Sequence, residues 1–460
     1  MPYILKKYYP LRNIFFFLGE GALIFIAISS VYLFVKGPDE YSFDLLLFTS
    51  RALIVTFIFQ ICLYYFDLYD LSISSTFSDI ATRIAQAFGF GCIALGIIYY
   101  LFPIIIISTK IFWTGYIAIC ISIALWRFFY SIVLDRRMFT QPILLLGAGK
   151  LAEKIAEEID SKRDSGYKII AYLASTNPSF NHGNVPFYDN EKNLPELIKQ
   201  HTIEKIVVAL DDRRGKTPIE ELMTCKLAGM LIVKGERFFE ELTGKIMVEK
   251  INPDAIIFSE GFKKNRLIRL LKRLVDILTA SLGLIISFPC ICICSLAIKI
   301  DSPGPIFYFQ ERVGEKGKLY KLIKFRSMTV NAEQYGPVWA GKNDNRVTKV
   351  GGFIRKVRID EIPQMWNVLK GEMSFVGPRP ERPVFVDQLK KIIPYYSLRH
   401  NVKPGITGWA QICYPYGATE EDALRKLEYD LYYIKNMSLR MDLLIIFQTI
   451  KTVLFQKGAR

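Results

Sequence analysis

The stretch Ile277-Leu-Thr-Ala-Ser-Leu-Gly-Leu-Ile-Ile-Ser-Phe-Pro-Cys-Ile-Cys-Ile-Cys-Ser-Leu-Ala-Ile298 decides how this chain is built. It is long and apolar enough to cross a bilayer, and Pro289 interrupts it. Arg269, Lys272 and Arg273 precede it, and Lys299, Arg312, Lys316, Lys318, Lys321 and Lys324 follow. Basic flanks stay on the cytoplasmic side, so a straight spanning helix would put one of these two clusters on the wrong face. A helix that enters, bends at Pro289 and returns satisfies both, because proline frees a carbonyl and bends the helix. Spanning is still open on sequence alone; the flanks favour re-entry.

Upstream, Leu267, Leu270, Leu271 and Leu274 recur at helical spacing. Lys263, Lys264, Arg266, Arg269, Lys272 and Arg273 fill the positions between them. This reads as an amphipathic helix on an anionic membrane surface, against the plainer reading of a solvated charged face. Nearer the N-terminus lie four more apolar segments, roughly Ile14–Val35, Phe43–Phe66, Ile84–Ile107 and Ile111–Leu134. Lys6, Lys7 and Arg12 stand before the first, and Arg127, Arg136 and Arg137 near the end of the fourth. Both ends are therefore expected in the cytoplasm, with residues 1–140 as a four-helix transmembrane bundle. The first segment is too long for a cleavable signal and lacks a small-residue cleavage pattern. Glu20 within it is either a functional group or a side chain facing a neighbouring helix.

The bulk properties agree. In 460 residues, 51% are apolar and the formal charge is +15. That pairing fits a membrane protein facing anionic lipid or phosphate-bearing substrates, and the membrane segments argue against nucleic acid. Cys290, Cys292 and Cys294 alternate along a helix and so share no face for a metal; the eight cysteines read as packing residues in a reducing compartment. Three histidines, His182, His201 and His400, are too scattered for a zinc site.

Residues 141–260 alternate strands and helices: Ile143–Leu146, Lys150–Ile159, Lys168–Leu173, Leu194–Gln200, Lys205–Leu210, Pro218–Ala228 and Met230–Val233. This predicts a Rossmann-like parallel sheet on the cytoplasmic side. The turn Gly147-x-Gly149-x-x-Ala152 is a permitted dinucleotide fingerprint, but no acid ends the second strand at Ser175-Thr176. Nucleotide binding and a purely structural turn both stand.

The chemistry lies in residues 261–460. In Arg355-Lys-Val-Arg358-Ile-Asp360-Glu361-Ile-Pro363-Gln-Met-Trp-Asn-Val-Leu-Lys-Gly371, the residues Ile362, Met365, Trp366 and Leu369 mark one buried helix face. Pro363 suits its first turn and Gly371 the position after its last. Asp360 and Glu361 then stand at the positive end of a helix beside two arginines, where a phosphate would also be drawn. Cationic neighbours keep an Asp ionised and competent as a nucleophile toward phosphorus, and an adjacent carboxylate can hold Mg²⁺. Taken alone, Asp-Glu before a helix is simply a good cap. Lys321-x-x-Lys324-Phe-Arg326-Ser327 and Gly377-Pro378-Arg379-Pro380 supply further cations, the latter on a rigid turn.

Together with Lys272-Arg-Leu-Val-Asp276, Asp301-Ser-Pro-Gly-Pro-Ile-Phe-Tyr308, Gln310-Glu-Arg-Val-Gly314, Lys324-Phe-Arg-Ser-Met328 and Lys403-Pro-Gly-Ile-Thr-Gly-Trp-Ala-Gln411, these motifs resemble the bacterial sugar transferase family over about Lys263–Arg460. These are monotopic phosphoglycosyl transferases, which move a sugar 1-phosphate from a UDP-sugar to a polyprenyl (undecaprenyl) phosphate. The segments before them resemble the long-chain members that prime exopolysaccharide or O-antigen assembly. The resemblance implies an α-rich catalytic domain with a re-entrant helix near 274–300. It implies that Asp360 attacks the β-phosphate and releases UMP, that Glu361 ligates Mg²⁺, and that Lys324 and Arg355 contact phosphates. Pro378, Arg379 and Pro380 match the element near the uridine, and Arg326 and Arg358 join them as substrate-binding candidates. Many members carry Ser-Pro at the helix break, where this chain has Phe288 before Pro289 and Ser287 one earlier. The implied location is the bacterial inner membrane, with catalysis on its cytoplasmic face, and the long-chain architecture suggests a homodimer.

Two rivals stand beside this. A membrane-bound nucleotide-sugar dehydratase or epimerase shares four spans and a Rossmann-like region, and Tyr320 and Lys324 have its Tyr-x-x-x-Lys spacing. No glycine-rich cofactor turn leads into that pair. A non-catalytic membrane scaffold would show no dependence on Asp360. No motif encodes the sugar.

Overall fold

The computed structural model describes residues 3–4, 7–8, 11–37, 45–69, 77–135, 140–162, 165–174, 185–189, 194–210, 218–250, 266–330, 332, 345–415, 417 and 419–454. Lys6, Arg136, Arg137, Ser175, Thr176, Lys263, Lys264 and the expected 260/261 domain boundary lie outside them. The chain divides into two compact units, Met1–Phe238 and Phe239–Arg460.

The first unit opens with four long apolar helices: α1 (Leu11–Lys36), α2 (Leu45–Tyr65), α3 (Phe77–Leu101) and α4 (Thr109–Asp135). Each is long and apolar enough to cross a membrane. Helix α1 lies against α4 and α2, and α2 against α3. The third helix starts and stops earlier than its hydropathy suggests. Pro103 cannot continue it, and a 3₁₀ turn, Pro103–Ile105, leads on toward α4.

Glu20 faces a neighbour. It is fully buried and pairs with Arg127 of α4 at 2.8 Å, while Arg127 also donates to the Leu68 carbonyl at 2.7 Å. The Phe16 and Tyr69 rings flank the guanidinium at 5.2 and 5.8 Å. Removing one partner strands the other charge without water, so Arg127→Leu should destabilise this unit by about 3–5 kcal/mol. Thermal unfolding of the detergent-solubilised protein measures it; an unchanged midpoint would assign the pair no structural weight.

Beyond them, β1 (Gln141–Leu146), α5 (Lys150–Ser161), β2 (Tyr167–Leu173), β3 (Phe187–Tyr188), α6 (Leu194–His201), β4 (Lys205–Val208), α7 (Ile219–Leu227) and β5 (Leu231–Lys234) form a Rossmann-like layer. The five strands are all parallel, in the order β3-β2-β1-β4-β5. Leu144, Leu146, Ala171, Leu173, Ile206 and Val208 fill one face of the sheet, as buried parallel strands require. Gly147 sits at φ 124° with the Ala209 carbonyl where a Cβ would stand, which is a packing reason for a glycine at this turn.

The second unit begins upstream of the motifs. The Trp409 indole donates to the Gly244 carbonyl at 2.8 Å, Lys435 pairs with Glu240 at 2.8 Å, and Ile246 and Val248 enter its core. Its spine is one 36-residue helix, α8 (Arg266–Asp301), with Pro289 inside it. The expected surface helix forms, from Arg266 on, the first turns of α8. Lys272 and Arg273 do not lie on a free charged face there, because both reach into the unit. Lys272 donates to Asp442 (2.9 Å), the Val376 carbonyl (3.0 Å) and the Tyr433 hydroxyl (3.1 Å), and Arg273 to the carbonyls of Val368 and Leu369. Asp276, buried, accepts from Ser374 Oγ and the Phe375 amide at 2.9 and 2.8 Å.

Further along the same face, Ala280 packs among Tyr320, Leu322, Val368 and Met373, and Cys294 and Ile298 against Phe325 and Ile354. At the far end Asp301 accepts from the Val350 amide at 3.0 Å. Ser287 Oγ bonds to the Gly283 carbonyl, so the hydroxyl near Pro289 satisfies a backbone group one turn back. Both ends of α8 therefore dock on one body. The opposite face is apolar and uncovered: Leu278, Ile285, Ile293 and Ile300 are 67%, 71%, 68% and 78% exposed.

The body against α8 consists of the antiparallel ribbon β6 (Phe307–Val313) and β7 (Leu319–Phe325), then α9 (Lys349–Lys356), a 3₁₀ turn (Ile359–Glu361) and α10 (Gln364–Lys370). After these come β7's parallel-paired successors, β8 (Ser374–Val376) and β9 (Gly405–Thr407), which pair with each other, with α11 (Pro383–Ile392) between them. Helices α12 (Trp409–Cys413), α13 (Glu420–Asn436) and α14 (Leu439–Leu454) complete it. Gly377, Gly405 and Gly408 lie where backbones touch. The motifs around Gly377-Pro-Arg-Pro380 and Lys403-Pro-Gly405 therefore meet as adjacent strand ends.

Candidate active site

Asp360 and Glu361 occupy the 3₁₀ turn between α9 and α10. Arg358 enters that turn at φ 57°, a left-handed conformation that reverses the chain and points both carboxylates inward. Each residue is only 9% exposed. Glu361 Oε1 accepts from Arg379 Nη2 at 2.6 Å and from Lys324 Nζ at 3.4 Å. Among the described residues nothing hydrogen-bonds the Asp360 carboxylate or Glu361 Oε2. One carboxylate is thus held, and the other has no such contact among the described residues.

The electrostatics separate the pair. Burial alone would raise Glu361, but Arg379 and Lys324 outweigh it and hold the group below the usual carboxylate range. Asp360 goes the other way: burial and the adjacent Glu361 charge raise it, opposed by Lys324, Arg379 and Arg355. The cations beside Asp360 therefore offset only part of its desolvation. Burial lowers Lys324, while Glu361 and Asp360 pull it back up.

The turn that carries Arg379 is fixed from behind. Pro378 and Pro380 are buried; the Pro378 carbonyl accepts from the Gly405 amide, and the Pro380 carbonyl from Arg312, each at 2.9 Å. Arg399 donates to the Arg379 carbonyl (3.1 Å) and, in fully buried contacts, to Asp430 (2.7 Å) and the Tyr396 hydroxyl (2.6 Å). Asp430 is pushed up to about 6 by burial, with Arg399 opposing.

Asp360, Glu361, Lys324, Arg355, Arg358, Arg379 and Arg326 all line one cavity of about 450 Å³, joined by Arg312, Arg346, Arg382, Arg399 and Lys426. Cations far outnumber carboxylates on its wall, which suits an anionic ligand. Arg326 lies in the wall with its guanidinium engaged by the carbonyls of Ile298, Ser302 and Pro303, at the end of α8. Pro289 is remote, midway along α8. Arg399 and Asp430 escaped the sequence reading because they stand 31 residues apart with no local pattern. Tyr320 and Lys324 lie on strand β7, about 13 Å apart along it, with Tyr320 turned toward Ala280. That is no Tyr-x-x-x-Lys dyad.

Helices long and apolar enough to cross a membrane, a Rossmann-like sheet and a cation-walled cavity with paired carboxylates are the features that define this class of protein. A family model described as bacterial sugar transferase matches residues 267–456, and one described as a CoA-binding domain matches residues 64–223. The chain is 43% identical over 239 residues to the UDP-N-acetylgalactosamine-undecaprenyl-phosphate N-acetylgalactosaminephosphotransferase of Aeromonas hydrophila, covering 52% of this chain and 56% of the relative. It is 38% identical over 277 residues to the UDP-glucose:undecaprenyl-phosphate glucose-1-phosphate transferase of Escherichia coli K12, covering 59% of each. It is also 30% identical over 346 residues to the UDP-galactose-lipid carrier transferase of Erwinia amylovora, covering 70% of each. The chain belongs to the bacterial sugar transferase family. It spans a little over half the length of the first two relatives.

Proposed function

We propose that this protein transfers a sugar 1-phosphate from a UDP-sugar to undecaprenyl phosphate, releasing UMP, as the first membrane step of exopolysaccharide or O-antigen assembly. The observation that carries this is the unbonded Asp360 carboxylate beside a Glu361 clamped by Arg379 and Lys324, inside a cationic cavity. An oxygen of Asp360 attacks the β-phosphorus; the bond from that phosphorus to the bridging oxygen breaks, and the oxygen leaves with the α-phosphate as UMP. An oxygen of the lipid phosphate then attacks the same phosphorus. The bond to Asp360 breaks, which regenerates the carboxylate and yields the sugar diphospholipid. Lys324, Arg355, Arg358 and Arg379 stabilise charge on the phosphoryl oxygens, and the turn Pro378-Arg379-Pro380 stands beside the nucleotide.

Mg²⁺ fits these residues. Glu361 Oε2 and Asp360 are hard, unbonded oxygen donors, and among the described residues no cluster of three ligating side chains could hold a metal alone. Mg²⁺ is commonly bound by one or two carboxylates together with substrate phosphates and water. Glu361 would hold it, and it would neutralise charge on the diphosphate. EDTA should stop UMP release and added Mg²⁺ restore it; release that survives EDTA would remove the metal from this proposal.

The uncovered apolar face of α8 supports a re-entrant helix in one leaflet, with both ends on the cytoplasmic side of the bacterial inner membrane and α1–α4 as a transmembrane bundle. A homodimer is part of the proposal, and light scattering of the detergent-solubilised protein tests it. The decisive test of the chemistry omits the lipid. One equivalent of UMP should be released and the peptide bearing Asp360 should gain the mass of a phosphosugar. Release that needs the lipid and leaves that peptide unmodified would point to direct transfer instead.

A further inference from the structure

At the opposite end of α10 from the catalytic turn, Gly371 closes the helix at φ 85°. A Cβ on Gly371 would stand 3.5 Å from both Arg273 Nη2 and Lys403 Nζ, so the two cations are neighbours above this helix end. Neither has an acidic partner within ion-pair distance among the described residues. Arg273 bonds only to the neutral carbonyls of Val368 and Leu369. Lys403 is half-buried and makes no hydrogen bond among the described residues. The nearby acid Asp276 is taken up by Ser374 and Phe375, and Lys272 is matched by Asp442. Burial and Arg273 lower Lys403, with Glu315 and Asp276 opposing. Two adjacent, half-buried positive charges with no acid in direct contact among the described residues are costly unless an anion joins them.

The surroundings indicate which anion. Leu267, Leu270, Leu271 and Leu274 expose 58%, 58%, 38% and 48% of their surface on the first turns of α8, one turn either side of Arg269 and Arg273. On α10, Trp366 is 52% exposed and Lys370, one turn on, is exposed too. Tryptophan and lysine beside an apolar helix mark the level of lipid headgroups. A free anion would use the cations alone, whereas a phospholipid also uses the leucines.

We propose that Arg273 and Lys403 bind the phosphate of an anionic phospholipid of the bilayer, where α8 enters the membrane. This rests on reading α8 as a membrane helix. The length of α10, about 10 Å, separates the site from Asp360, so it anchors and orients the enzyme and does not hold the acceptor during transfer.

The full-length protein is reconstituted in nanodiscs of phosphatidylcholine alone or with phosphatidylglycerol. Phosphatidylglycerol should raise the unfolding temperature of the wild type by about 2–4 °C. Lys403→Gln should lose that shift and Lys403→Arg keep it, while UMP release in pure phosphatidylcholine stays unchanged in both. Lys318→Gln, on the exposed ribbon turn, should keep the shift. A full shift in Lys403→Gln, or an equal shift from inorganic phosphate in phosphatidylcholine nanodiscs, would overturn the site. Flotation of the wild type with phosphatidylcholine vesicles tests the membrane reading separately, and a protein that stays at the bottom of the gradient overturns that reading.

Discussion

Asp360→Asn should abolish UMP release, lowering the rate by about 10⁴-fold or more. Loss of a covalent nucleophile costs more than loss of any group that only stabilises charge. The amide is isosteric and the wild-type carboxylate makes no hydrogen bond among the described residues, so folding should be spared. Removing a buried charge could even raise the unfolding temperature slightly. The comparison is made with UDP-glucose, UDP-galactose and UDP-N-acetylgalactosamine, since the relatives differ in the sugar they name. Equal UMP release from variant and wild type would sink the covalent mechanism and revive the scaffold alternative. For the wild type, UMP release should fall as pH is lowered, because in the proposed mechanism only ionised Asp360 attacks. Burial and Glu361 raise this group, so the acid limb should lie above the ordinary aspartate value of about 3.9.

Arg379→Ala is the second large effect, and it acts twice. Its guanidinium makes the shorter of the two contacts to Glu361, at 2.6 Å, and lines the cavity. Losing a preorganised cation from a phosphoryl-transfer site should lower kcat by about 10²–10³-fold. The sign of the pH effect follows from the same contact. Arg379 lowers both carboxylates, so its removal raises both and moves the acid limb of the UMP-release profile upward. Arg379→Lys should recover part of the rate by restoring charge without the planar fork. A variant that loses rate with an unmoved acid limb would show that Arg379 touches substrate only and does not tune the carboxylates. Asp360→Asn has no acid limb to move, so the two results are independent.

Much of this was legible in the chain itself. The apolar lengths announced five helices of membrane-crossing size, and strand–helix alternation after Pro142 announced the parallel sheet. Local spacing put Asp360 and Glu361 before a helix closed by Gly371, but it misassigned the buried face: Gln364, Asn367 and Val368 are buried, while Ile362, Met365 and Leu369 are half-buried and Trp366 is 52% exposed, because the body packs on the polar side of this short helix. Each signal is carried by residues within one or two turns of each other, where backbone geometry alone relates them. The reading of Lys263–Arg273 as a helix on a membrane surface left out where two of its cations point, for the complementary reason. Charge and spacing describe a helix in isolation, and Lys272 and Arg273 are claimed by Asp442 and by carbonyls of α10 far along the chain. The third apolar helix was displaced because hydropathy does not register that Pro103 ends it.

The sequence by itself determined the cast at the site: two adjacent carboxylates, several cations within reach of a phosphate, and an apolar segment with basic flanks on both sides. Only the tertiary structure decided how differently the two carboxylates are held. Glu361 is pinned because Arg379, on a turn held by Arg399 and Asp430, and Lys324, on a strand, converge on one of its oxygens. Asp360 is left without a hydrogen bond among the described residues, although Lys324, Arg379 and Arg355 act on its charge. Likewise, whether Ile277–Ile298 stands free or lies along a body depends on Asp276, Ala280, Cys294 and Asp301 meeting residues up to about a hundred positions away. Such convergence is set by packing between distant elements, and a linear pattern holds no record of it.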